Sequence, residues 1–370
     1  MNDKDEIHTI RQRAHTIFNS LQDQVNYNDK TKTKTSSQRN FFDTHGFLKV
    51  NSFANALEIH AMKEQMAHLV QHEWLIEDDN KEVAGFSTDA KAQIREQGSN
   101  DYFLESANKV HFFAEMQCKT LDGTALRPEF LVGDNKMNAL NKVGHGLHLI
   151  HGPFREYTTS NKLKRLVTEC LGWEHPVVPQ SMYIFKQAKV GSEVTSHQDS
   201  TFLFTEPRQT CLGLWLALDD ATIENGCMWV RPGSHREAVR RAFVRNPLYF
   251  EEGDMTQPHM LFESVHDNDD DGDRDMKHNS SFISWEGKLP LNSWPPPCCG
   301  LFEAGFVPVE CKAGDLLAFP GRLDHLSLAN YSSSPRHTFQ LHLIEGEQSG
   351  VRWSKRNWLQ YPNGECFMHL

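Results

Sequence analysis

From about residue 111 onward, short apolar runs alternate with turn residues, and this rhythm limits the fold more than any other feature of the chain. Runs of that length and spacing build an all-β barrel or sandwich. Candidate strands are Ser181–Gln187, Cys211–Leu218, Cys227–Val230, Asp315–Phe319, Leu326–Asn330 and Arg336–Ile344. Two of them carry a period of two that says more. In Arg336-His337-Thr338-Phe339-Gln340-Leu341-His342-Leu343, residues 336, 338, 340 and 342 share one face and are all polar. Phe339, Leu341 and Leu343 occupy the other face. A buried barrel strand with one wholly polar face lines a wet cavity. Likewise Leu212, Leu214, Leu216 and Leu218 form one face, opposite Gly213, Trp215 and Ala217. Trp215 is therefore a candidate cavity wall, with core packing as the alternative.

Before the β region the pattern is helical. Ile7, Ile10, Ala14, Ile17, Leu21 and Val25 recur at spacings of three and four, as on an amphipathic helix. The run DKTKTKTSSQR (29–39) follows and reads as a polar linker. Phe41 lies near a helix end, Gly46 follows, and Phe47–Val50 reads as a short strand. A second helix is expected over Asn55–Leu75, with Leu57, Met62, Met66 and Leu69 as its apolar side. Residues 76–110 are polar and give no clear period. Between about 250 and 300 the β rhythm breaks into an excursion. It holds the acidic run from His266 to Asp275, read as a solvated loop, and Trp294-Pro295-Pro296-Pro297. The chain thus divides into an N-terminal helix and linker (1–40) and one mainly β domain with flanking helices (41–370), with an insertion at about 250–300.

Charge and cysteine usage narrow the partners. A net charge of −11 argues against a nucleic-acid or anionic-membrane surface. No run of about 18 apolar residues exists, so no membrane span is expected. The N-terminus MNDKDEIHTIRQ lacks the apolar core of a secretory signal. Eight cysteines show no CxxC pair, and vicinal Cys298-Cys299 fits a loop better than a disulfide. Reduced thiols in a cytoplasmic compartment are expected. The terminal Met368-His369-Leu370 is not the peroxisomal Ser-Lys-Leu address.

The chemistry is carried by His197-Gln198-Asp199, just past the strand that begins at Ser181. A histidine and a carboxylate two apart on a strand point to the same side. With a distant histidine they can hold three adjacent positions of an iron ion and leave the others open. His325 supplies that histidine, and Arg336 follows eleven residues later. Antiparallel pairing through a Tyr331–Pro335 turn would set Arg336 across from the neighbourhood of His325. Two imidazoles and a carboxylate for Fe(II), plus a guanidinium for a far carboxylate, are what a 2-oxoglutarate-dependent oxygenase needs. His145, His148 and His151 cluster close to Lys142 and suggest a second metal site, but the triad needs none of them. They are read as structural or substrate-lining. His337 points away, and His342 belongs to the polar face.

The sequence resembles the phytanoyl-CoA dioxygenase family of Fe(II)/2-oxoglutarate oxygenases. The matching branch is the cytosolic "domain-containing" one, not the peroxisomal enzyme. The resemblance rests on FFDTHGFLKV (41–50), NKVGHGLH (141–148), PVVPQSMYIFKQ (176–187), SHQDSTFLFTEP (196–207) and LGLWLALDDATIENGCMWVRPGSH (212–235). The His325 and Arg336 region and WSKRNWLQ (353–360) complete it. The resemblance implies a double-stranded β-helix (jelly-roll, cupin-like) core. It also implies that His197, Asp199 and His325 are the iron ligands and the catalytic centre. Arg336 and Ser327 match positions at the C5 carboxylate of 2-oxoglutarate. Lys142, Met182 and Trp215 match other cosubstrate contacts, and Gln198 sits inside the triad motif. The first 40 residues and the 250–300 excursion depart from the family pattern.

The expected activity is hydroxylation of a small molecule, acyl or lipid-like compounds among the candidates, using O2 and releasing succinate and CO2 from 2-oxoglutarate. Asp199 is a carboxylate where related halogenases lose this ligand, which favours hydroxylation. Two other classes remain open on residues alone. A non-catalytic jelly-roll sensor of metal and 2-oxoglutarate would make no succinate. A zinc hydrolase on the same ligands would work without O2.

Overall fold

The alternating runs become two facing sheets. The computed structural model describes residues 3–26, 34–74, 83–131, 133–265, 298–362 and 365–370. The main path of its nine-stranded sheet begins with β1 (Leu48–Val50), β13 (Leu316–Pro320), β8 (Leu212–Ala217) and β15 (Thr338–Glu345). It continues through β5 (Pro176–Ile184), β4 (Leu140–His145), β3 (Val110–Glu115) and β2 (Gly85–Phe86), and β17 (Met368–His369) also pairs with β5. The four-stranded sheet runs β12 (Val307–Val309), β9 (Met228–Val230), β14 (His325–Ser327), β6 (Val194–His197). Two ribbons complete the set, β10 (Arg241–Arg245) with β11 (Met260–Ser264), and β7 (Thr205–Glu206) with β16 (Arg352–Trp353). Only β2 with β3 is parallel among the described strand pairs. The core is a jelly roll, as expected.

The two-residue period sorts the side chains between two cores. Leu212, Leu214 and Leu216 of β8 join Phe339, Leu341 and Leu343 of β15 on the helix-covered face. Trp215 and Ala217 turn the other way, into a cluster with Trp229, Phe319 and Leu326. Each such buried leucine or phenylalanine contributes about 1.5–3 kcal/mol. A one-residue slip would exchange the faces of a whole strand, so the register is strongly specified.

Helix α1 (Asp3–Asn26) buries Ile7, Ile10 and Ala14, as its period predicts. Arg11 ties it down by donating to Glu224 and Glu310 at 2.9 and 2.7 Å. The linker expectation is corrected in part: helix α2 (Lys34–His45) includes Ser36 to Arg39, while residues 29–33 lie outside the described residues. Phe42 of α2 is buried, and Arg39 pairs with Asp43 one turn on. Burial of an aromatic thus outweighs the modest propensities of a Ser/Thr-rich first turn.

Helix α3 (Ala56–His72) starts at a capping box in which Asn55 accepts from Glu58 N and Glu58 accepts from Asn55 N. Met62, Met66, Leu69 and Val70 are buried, but Leu57 is 79% exposed. Five residues before Met62, it lies about 140° round the helix from that face. Cys298 and Cys299 open a short helix (Cys298–Glu303) rather than a loop, anchored by buried Leu301. The acidic run and the Trp294–Pro297 segment lie outside the described residues.

Candidate metal centre

In the small sheet His325 of β14 is registered directly opposite His197 of β6. Directly paired residues share a face, and the two rings stand 4.2 Å apart between centroids. Strand β6 ends at His197 and Asp199 opens a single 3-10 turn (Asp199–Thr201). Gln198 between them is still extended, at φ −113° and ψ 130°, so the alternation carries through. Asp199 Oδ1 lies 3.3 Å from His197 Nε2 and 3.6 Å from His325 Nε2.

Backbone carbonyls fix the ring orientation. His197 Nδ1 donates to Thr195 O at 2.8 Å, and His325 Nδ1 donates to Leu323 O at 2.9 Å. Each Nε2 lone pair therefore faces Asp199. Burial, reinforced by the neighbouring His197, pushes the His325 pKa down to about 4. Burial alone would raise the Asp199 pKa, but electrostatic interaction with the His342 and His325 side chains and hydrogen bonding with His197 and His342 hold it well below the carboxylate range. Neutral imidazole and ionised carboxylate are the states that bind a divalent cation. On His197 burial is outweighed by Asp199, which raises the pKa, so a proton competes with a cation for its Nε2. One ligand atom from each of the three residues lies within 4.8 Å of the others, and the set fits iron.

The triad opens on a cavity of about 150 Å³ also lined by Lys142, Met182, Trp215, Ser327 and Arg336. Arg336 does not arrive as expected. Strand β14 pairs with β6 and β9, whereas β15, two residues past Arg336, pairs with β5 and β8 of the other sheet. The connection between them is an arch, not a hairpin turn. Asn330 Nδ2 holds it by donating to Lys186 O and Ser334 O, and Arg336 N donates to Lys186 O at 3.2 Å. Arg336 thereby reaches the cavity from the facing sheet.

The polar groups there are under-used. Arg336 is buried, donates once to Gly226 O at 2.8 Å, and has no carboxylate partner among the described residues. Its Nε and the indole Nε1 of Trp215, over which the guanidinium lies at 5.3 Å, are buried without a partner. Burial pulls the guanidinium pKa down to about 10. Buried donors left unpaired are costly, and a dicarboxylate entering the cavity would satisfy them. Lys142 is equally buried, 3.6 Å above the Phe86 ring and 3.8 Å from Met182 Sδ, and burial lowers its pKa strongly.

Gln198 is not brought into the cavity. Its Nε2 donates to Ala238 O and Arg322 O at 3.1 and 3.0 Å, and its Oε1 accepts from Arg240 N at 3.0 Å. Of the other histidines, His145 bonds Ser106 and His148 bonds Ser181. Among the described residues only the triad meets the metal-ligand geometry. Sequence reading missed Phe86 and Phe103, which come from the unpatterned 76–110 stretch, and Glu115, Asn141 and Lys186. It also left His342 as mere polar lining, although its shared face with Arg336 was the available signal. A larger groove of about 680 Å³ lies beside α1 and α2 and contains none of the expected site residues.

Residues 42–338 match the family model for phytanoyl-CoA dioxygenase (PhyH). The chain belongs to the phytanoyl-CoA dioxygenase family. It is 34% identical to the phytanoyl-CoA dioxygenase of Arabidopsis thaliana, covering 89% of this chain and 95% of that protein. It is 37% identical to phytanoyl-CoA dioxygenase domain-containing protein 1 of Bos taurus, covering 88% and 94%. Its fold is like that of the epimerase SnoN, crystallised with Fe3+, alpha ketoglutarate and nogalamycin RO. The TM-score is 0.50 at 14% identity, with 90% of this chain and 91% of that one covered. As a member of the phytanoyl-CoA dioxygenase family, the protein is a 2-oxoglutarate-dependent non-heme iron dioxygenase, with Fe(II), 2-oxoglutarate and O2 as its cofactors.

Proposed function

We propose that this dioxygenase hydroxylates a small molecule, with His197, Asp199 and His325 holding Fe(II) and Arg336 gripping the far carboxylate of 2-oxoglutarate. The observation that carries the reading is the buried, carboxylate-free guanidinium of Arg336, opening on the same cavity as two inward-facing imidazole Nε2 atoms and Asp199. Bound iron supplies oxygen activation coupled to decarboxylation of 2-oxoglutarate to succinate and CO2. Trp215 offers its unpaired N–H and a flat wall, Ser327 a hydroxyl on the ligand strand, and Lys142 and Met182 line the same cavity. Gln198 braces the triad from outside. Asp199, retained as a carboxylate, supports hydroxylation over halide transfer.

Among the described residues Cys118, Cys170, Cys211, Cys227, Cys311 and Cys366 are free thiols, which supports a reducing cytoplasmic setting. Among the described residues no helix is long and apolar enough to cross a membrane. The net charge of −11 supports a small-molecule partner over nucleic acid. We read residues 41–370 as one catalytic domain and 1–40 as an N-terminal addition to it.

The test is anaerobic loading with Fe(II), addition of 2-oxoglutarate, and admission of O2 with succinate measured. Slow O2-dependent succinate release is expected even without a prime substrate. Absence of both turnover and 2-oxoglutarate binding would overturn the reading, and turnover that needs no O2 would point to hydrolysis.

A further inference from the structure

The cavity holds a second guanidinium placed to meet a ligand. Strand β10 carries Arg241, Phe243 and Arg245 on one face, and Arg241 lines the cavity. Its guanidinium carbon stacks 4.4 Å over the ring of Phe262. A guanidinium held over a ring face by cation–π attraction can still offer its N–H donors to a ligand. Among the described residues Arg241 has neither an acidic partner nor a side-chain hydrogen bond. Its neighbours differ. Arg245 donates to Asn357 O and Trp358 O, and Arg240 is held by both oxygens of Asp324 at 3.0 and 3.1 Å.

Arg240 also fixes where Arg241 stands. Its backbone N–H donates to Gln198, which lies between two members of the triad, and its guanidinium clamps Asp324, which precedes the third. A run of rings spans the gap. Phe202 lies 6.2 Å from the His197 ring, and 6.3 Å from the Phe262 ring on which Arg241 rests. An apolar path therefore leads from the triad to an open guanidinium.

Charge accounting over the lining points the same way. With iron and 2-oxoglutarate bound as proposed above, the metal, Asp199, Arg336 and the two cosubstrate carboxylates balance. Glu115 offsets Lys186, and burial disfavours the charged form of Lys142. Arg241 is left as an excess positive charge facing apolar surface. We propose that the prime substrate is a monocarboxylate with an apolar body, its carboxylate on the edge of Arg241 and its body along Phe262 and Phe202 toward the metal centre. The assignment rests on the iron and 2-oxoglutarate reading and adds the substrate class. A single guanidinium matches a carboxylate in charge and in its two-point geometry.

Calorimetry on Mn(II)-loaded protein tests it in two stages. The first is titration with 2-oxoglutarate; failure there overturns the cosubstrate reading. The second, at saturating 2-oxoglutarate, compares hydrocinnamate and isocaproate with their methyl esters. The acids are expected to bind at least about tenfold more tightly than the esters, the worth of one charge-assisted contact. Arg241→Gln should erase that preference, and Arg241→Lys should restore part of it. With 2-oxoglutarate bound, three results would overturn the proposal: equal binding of acid and ester, a preference that survives Arg241→Gln, or no acid binding at millimolar concentration. The wild-type acid and ester comparison decides even if a variant fails to fold.

Discussion

His342 Nε2 lies 3.0 Å from Asp199 Oδ2, while Asp199 Oδ1 faces the two histidines of the triad. Gln180 Nε2 donates to His342 Nδ1 at 3.0 Å, so His342 Nε2–H is the donor toward the carboxylate. One carboxylate oxygen is thus occupied and the other presented, which orients Asp199 to bind a metal through a single atom. Both supporting residues come from the large sheet, on the adjacent strands β5 and β15, and the histidines come from the small one.

His342→Ala should therefore weaken metal binding by about 10–100-fold, the usual cost of losing a group that orients a ligand. Co(II) titration followed by visible absorbance measures it. His342→Gln, which keeps a donor, should recover part of the loss. A general folding defect would instead lower thermal stability without a separate effect on Co(II) affinity at low temperature.

Asp324 is the buried acid that joins the ligand strand to β10. It accepts from Arg240, from Arg231 at 3.1 Å and from Ser196 Oγ at 2.6 Å. Removing one partner of a buried ionic network costs about 3–5 kcal/mol. Asp324→Ala should lower the urea midpoint accordingly and should also weaken Co(II) binding, because His325 is the next residue. Asp324→Asn, which preserves shape and hydrogen bonding, should lose less.

Buried histidines predict an acid-sensitive fold. His148 is held near pKa 4 by burial, and its ring contacts Ser181 Oγ and Tyr361 OH. Between the ordinary value of 6.5 and about 4 the unfolded chain binds more protons at this site than the folded one. Stability is therefore complete above that window and falls as the pH drops through it, by up to about 3 kcal/mol from this residue. Urea midpoints between pH 7 and pH 4 should show the decline, and His148→Asn should make it shallower.

Local periodicity carried most of the fold. The faces of β8 and β15 follow directly from alternation in 212–218 and 336–343, and both cores follow from those faces. The triad was legible because a His-X-Asp pair needs only local extension, and family motifs supplied His325. The route of Arg336 was not legible. Eleven residues suit a hairpin and an arch equally, and the choice rests on Asn330 bonding to Lys186, far away in sequence. His342 was hidden for the same reason, since its partner lies 143 residues away. Arg241 sits just before a stretch whose rhythm breaks, where alternation gives no warning that a charged residue turns inward.

Arg336→Met removes the guanidinium but keeps much of the buried apolar volume. If Arg336 holds the far carboxylate of 2-oxoglutarate, its KM should rise by about 30–100-fold, the equivalent of 2–3 kcal/mol for a charge-assisted contact. Co(II) affinity should stay unchanged, because Arg336 touches none of the three ligands. Stability should hold or improve, since the variant no longer buries a guanidinium whose Nε lacks a partner. Succinate assays across 2-oxoglutarate concentration, beside a Co(II) titration, separate the two effects. An unchanged KM would remove Arg336 from the cosubstrate site.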